Sequence, residues 1–72
     1  MIIKIKRVDS RVANRKQKKI SKEISEQFDI ELSKIQREIK STLFVITMPD
    51  NVDKDEVSKL IRNELNDDVL IE

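Results

Sequence analysis

The segment DIELSKIQREIKS, Asp29 to Ser41, has two readings that lead to different proteins. As a strand it alternates at Ile30 and Leu32, then needs a bulge near Ser33 to bring Ile35 and Ile39 inward. As a helix it places Leu32, Ile35 and Ile39 at i, i+3 and i+7, the spacing of one helical face. The strand gives a β-α-β-β-α-β chain. The helix gives β-α-α-β-α-β.

The flanking segments read the same way in either case. IIKIKRV, from Ile2, interleaves Ile2, Ile3 and Ile5 with Lys4 and Lys6, the near-alternation of a half-buried strand. From Ser10 or Asn14 to Phe28, the residues Ala13, Ile20, Ile24 and Phe28 form one stripe of an amphipathic helix. Asn14 and Gln17 resemble a capping pair, and Ser10 is an alternative start. TLFVITM, Thr42 to Met48, is apolar on both faces, as an interior strand is, and Pro49-Asp50-Asn51 ends it. Asn51 or Asp53 then caps a helix carrying Val57, Leu60, Ile61 and Leu65, with Asp55 and Glu56 in its first turn. Asn66-Asp67-Asp68 closes that helix, and VLIE is a short last strand. With a strand at 29–41, the plan is α+β and ferredoxin-like: a four-stranded antiparallel sheet with two helices on one face.

Composition excludes much chemistry. Seventy-two residues make a single domain, 1–72, that buries roughly 60% of its unfolded surface. There is no Cys, so no disulfide or thiolate chemistry, and no His, so no imidazole base or imidazole ligand. The chain also lacks Gly, which removes a glycine-rich phosphate cradle, and no nucleophile is paired with a base. No enzymatic activity, metal or cofactor is expected. The longest apolar run, Leu43 to Ile46, is far short of a membrane span, and no signal-peptide core precedes it. The chain as given therefore reads as soluble and cytoplasmic, unless it is excised from a longer precursor.

A net charge of +1 conceals an asymmetry. Residues 1–22 carry nine Lys or Arg against Asp9 alone, whereas residues 23–72 carry six basic and thirteen acidic residues. In NRKQKKISKE, five of ten residues are basic, at the helix end where the backbone dipole disfavours them. If the two helices are neighbours, Arg15, Lys16, Lys18, Lys19 and Lys22 partly offset Asp53, Asp55, Glu56 and Glu64. Exposed pairs of this kind contribute only about 0–1 kcal/mol each, which leaves a partner as an attractive explanation. The helical reading of 29–41 adds a second route to that partner. ISKEISEQFDIELSKIQREI, Ile20 to Ile39, looks like a helix-turn-helix, with Ser25 at the crossing and Asp29 in a left-handed turn position. Its second helix would present Ser33, Lys34, Gln36 and Arg37 to a major groove. The nucleic-acid alternative thus rests on Arg15, Lys16, Lys18, Lys19, Lys22, Lys34 and Arg37.

The strand reading points elsewhere. If Ile3, Ile5, Phe44, Ile46 and Met48 face the helices, then Ile2, Lys4, Lys6, Leu43, Val45 and Thr47 face outward. That surface lacks the aromatic platforms of an RNA-reading sheet, and an apolar centre rimmed by Lys suits docking against another protein. Leu70 extends the patch along the edge. Ser41 to Glu72, with Phe44, Val45 and Pro49, then Val57 and Leu60, then Asp67-Asp68 and Val69-Leu70-Ile71-Glu72, resembles the second half of the propeptide or inhibitor domains of subtilisin-like serine proteases. MIIKIKR and the basic helix fit that family's first strand and helix, although its paired glycines have no counterpart. The resemblance implies a non-catalytic inhibitor or folding assistant that docks through Ile2, Lys4, Lys6, Leu43, Val45, Leu70 and Glu72. Its partner would be another protein, by resemblance a serine protease, or a second copy of the chain. Nucleic acid is the alternative partner, and no membrane is expected.

Overall fold

The computed structural model describes residues 1–65 and 68–72. Its elements are β1 (Ile2–Lys6), α1 (Ser10–Phe28), a 3-10 turn (Leu32–Lys34), β2 (Gln36–Lys40), β3 (Leu43–Thr47), α2 (Lys54–Glu64) and β4 (Leu70–Ile71). The four strands form one antiparallel sheet in the order β2-β3-β1-β4, which is the ferredoxin-like arrangement. β1 and β3 are central, paired from Ile2 opposite Thr47 to Lys6 opposite Leu43.

Of the disputed segment, the second half is a strand, β2, whereas the stretch from Ile30 to Ile35 expected to begin it lies outside the sheet, and no helix-turn-helix forms. The helical spacing of Leu32, Ile35 and Ile39 is broken by the 3-10 turn Leu32–Lys34, closed by the Lys34 N–H on Glu31 and the Ile35 N–H on Leu32. That turn makes the change of phase expected of a bulge near Ser33. It leaves Leu32 on the surface, 54% exposed, rather than inward with Ile30. Ile35, at the end of the turn, is buried, and in β2 beyond it Ile39 is half-buried on the helix side while the other four residues are exposed.

α1 begins earlier than the Asn14–Gln17 pair suggests. Asp9 is its N-cap, with a carboxylate oxygen accepting from the Arg11 N–H at 2.8 Å. Asn14 instead donates its side-chain amide to the Ser10 carbonyl within the helix. The basic run therefore lies beyond the first turn, where the dipole penalty has faded, so Arg15 to Lys22 are not misplaced. The helix ends at Asp29, which takes a left-handed conformation (φ 54°, ψ 50°) in the absence of any glycine. Ser25 holds this exit: its carbonyl accepts from Ile30 N–H at 3.1 Å and its Oγ donates to the Ile30 carbonyl at 2.6 Å.

α2 is capped by Asp53, which accepts from the Asp55 N–H at 2.9 Å, and Asp55 and Glu56 occupy its first turn. Its last residue is Glu64, and of the Asn66-Asp67-Asp68 stretch expected to close it, Asn66 and Asp67 lie outside the described residues. Both helices cover one side of the sheet. Ile3, Ile5, Phe44 and Ile46 from the strands join Ile20, Ile24, Val57 and Ile61 from the helices in a single core, all without solvent exposure.

Candidate interaction faces

The other side of the sheet has no helix. Register places Ile2, Lys4 and Lys6 of β1 opposite Thr47, Val45 and Leu43 of β3, and these in turn opposite Gln36, Glu38 and Lys40 of β2. Leu70 pairs with Lys6 across the β1–β4 ladder, and Glu72 exchanges backbone hydrogen bonds with Lys4 at 3.2 and 2.8 Å. All seven residues expected to bind a protein partner thus share one face. Their exposure differs: Ile2 is 56% and Leu70 44% exposed, whereas Leu43 and Val45 are half-buried between their strand neighbours.

Two ion pairs frame this surface. Lys6 Nζ meets Glu72 Oε1 at 2.9 Å, and Lys40 Nζ meets Glu38 Oε1 at 3.0 Å. The hydrogen bond and charge of Lys6 hold the Glu72 carboxyl below its ordinary value. Lys4, opposite Val45, has no ion-pair partner among the described residues. The centre of the face is therefore apolar with one uncommitted cation. Gln36, Glu38 and Lys40 belong to this surface but could not be found from sequence, because the register of 29–41 was open; once β2 is a strand, strict alternation assigns them.

The basic residues divide into two groups. Lys16 and Lys19 turn toward α2, where their Nζ atoms lie 3.9 and 3.4 Å from the same buried oxygen of Glu64. The offset between the helices expected for five cations and four carboxylates is carried by these three side chains among the described residues. Arg15, Lys18 and Lys22 are exposed on the outer side of α1. Arg11, absent from the candidates, joins them four residues before Arg15; its nearest anion is the capping Asp9, at 3.4 Å, whose carboxyl is held below its ordinary value mainly by the Arg11 backbone N–H. Lys34 lies in the 3-10 turn and Arg37 on β2, so neither stands on a recognition helix.

Ser21 is the one buried polar residue of the described chain, and its Oγ has no hydrogen-bond partner there. Among the described residues no group of three or more Cys, Asp or Glu is arranged to hold a metal ion, and no helix is long and apolar enough to cross a membrane. No protein-family model, no curated protein and no solved structure matches the chain.

Proposed function

We propose that this chain is a non-catalytic interaction module that docks a protein partner through the helix-free face of its sheet, in the manner of a subtilisin-propeptide-like inhibitor or folding assistant. The observation that carries the reading is the second apolar row of β3. Leu43 and Val45 alternate with the buried Phe44 and Ile46 but point away from the core, on the same face as the exposed Ile2 and Leu70 and with Lys4, Lys6, Glu38 and Lys40 as their cross-strand neighbours. An apolar centre with a polar rim is the composition of a docking surface, and half-buried side chains lose less conformational freedom on binding than fully mobile ones. The complementary partner presents an apolar ridge with a carboxylate opposite Lys4. The propeptide resemblance names such a partner class, a subtilisin-like serine protease, and the fold is the one that resemblance implies.

Titrating a subtilisin-like protease with the chain, alone and with Leu43→Asp and Val45→Asp combined, tests the reading. Inhibition by the wild-type chain that disappears in the double variant, with the circular dichroism spectrum retained, is the expected result. Inhibition that survives both substitutions sinks the sheet-face assignment, and no inhibition by wild type removes the protease as partner.

A further inference from the structure

Four of the five exposed cations of α1 are regularly placed, the fifth, Lys19, being turned toward Glu64. Arg11, Arg15, Lys18 and Lys22 stand at i, i+4, i+7 and i+11, one straight row on the side of the helix away from the core residues Ala13, Ile20 and Ile24. The row runs about 16 Å at the helical rise of about 1.5 Å per residue. Glu26, one turn beyond Lys22, ends it. On the neighbouring edge strand, Arg37 is exposed on the helix-facing side, between Ile35 and Ile39 and opposite Ile46.

We infer that this row is a contact surface for the phosphate backbone of duplex nucleic acid, independent of the sheet face and on the opposite side of the molecule. Three observations select this partner among polyanions. The only acidic side chain in ion-pair contact with the row among the described residues is Asp9, so three of the four charges are uncommitted. The exposed residues of α1 from Arg11 to Lys22 include no apolar side chain, which removes the wedge that an interfacial membrane helix inserts among lipids. The chain's two aromatics, Phe28 and Phe44, are half-buried and buried, so no platform exists for stacking single-stranded bases. What is left is a linear array of positive charge facing an array of phosphates, one per about 3.4 Å of duplex axis on each strand. Such a contact carries little base specificity.

Fluorescence anisotropy of the full chain with a labelled 20-base-pair DNA duplex tests this, at about 50 and 200 mM salt. Three phosphate contacts, from Arg15, Lys18 and Lys22, predict a loss of affinity of about 40-fold between the two salt concentrations. Single Arg15→Gln, Lys18→Gln and Lys22→Gln variants each lower the salt slope by about one, and combined Arg15→Glu, Lys18→Glu and Lys22→Glu abolishes binding. The Lys16→Gln and Lys19→Gln pair, which removes the cations committed to Glu64, leaves the slope unchanged. The single Gln variants sit on an exposed helix surface, so their reading does not depend on the charge-reversed chain folding. Absence of wild-type binding at the lower salt overturns the inference, as does an equal loss in the Lys16 and Lys19 variant. Preferential binding of anionic phospholipid vesicles over the duplex would assign the row to a membrane and overturn it too.

Discussion

The two faces of β3 use almost the same amino acids for different ends. Phe44 and Ile46 are fully buried beneath α1 and α2, whereas Leu43, Val45 and Thr47, their immediate neighbours, are half-buried on a face without a helix. Folding accounts for the first set, because no core exists without it. It does not account for the second, since a two-layer fold asks only one side of its sheet to be apolar. The difference shows which apolar residues hold the domain together and which are available for something else.

Truncation breaks or upholds that distinction most directly. Phe44→Ala is expected to cost about 3–5 kcal/mol, a large part of the total stability of roughly 4–11 kcal/mol typical for a chain this short. Val45→Ala, one residue away on the same strand, is expected to cost only about 1 kcal/mol. Urea denaturation followed by circular dichroism measures both. Equal losses would mean that the outer row is part of the folding core, and the argument for a docking face would lose its basis.

Ser21 sharpens the same contrast from the core side. Its hydroxyl is buried on α1 without a hydrogen-bond partner, and Ala is both apolar and the better helix former. Ser21→Ala should therefore stabilise the protein by about 1 kcal/mol, read as a higher urea midpoint with an unchanged slope. A loss of stability would show that the hydroxyl makes an interaction in solution, and that this part of the helix-facing side is less purely apolar than its neighbours.

How much of this could be read from the chain depends on how periodic each segment is. β1, β3 and both helices each keep one period throughout, so their inward residues follow from spacing: Ile3, Ile5, Phe44, Ile46, Ile20, Ile24, Val57 and Ile61 all reach the core. The segment 29–41 changes period within itself. The 3-10 turn takes up three residues that belong to neither a helix nor a strand, and no spacing rule distinguishes Leu32, which it exposes, from Ile35, which is buried. For the same reason the β2 contribution to the outer face, Gln36, Glu38 and Lys40, was hidden, while the contributions of β1, β3 and the β4 end were legible. The basic run was visible as composition, but its division into an outward row and a pair aimed at Glu64 depends on where α2 packs. Of the two starts the sequence offers, Ser10 and Asn14, the structure has the helix begin at Ser10, which brings Arg11 into the row; a start at Asn14 leaves it outside the helix.

The smallest effect concerns the edge of the outer face. Lys6 holds the Glu72 carboxyl below its ordinary value near 4.5, so the folded state favours the charged carboxylate more than the unfolded chain does. The stabilisation from this pair is therefore present above about pH 4.5 and is lost as the pH falls through the lowered folded value. Both partners are about half exposed, so solvent screens the interaction and the effect is small. Comparing thermal midpoints of wild type and Lys6→Gln from pH 7 to pH 3 isolates it from the other carboxylates, including the cap Asp9, which both proteins share. The gap between the curves should narrow below pH 4.5 and close once Glu72 is protonated in the folded state. A gap that persists unchanged to pH 3 would mean that Lys6 contributes through its methylene chain against Leu43 and Leu70. In that case the long side chain belongs to the apolar surface of the docking face, and its charge is available to a partner.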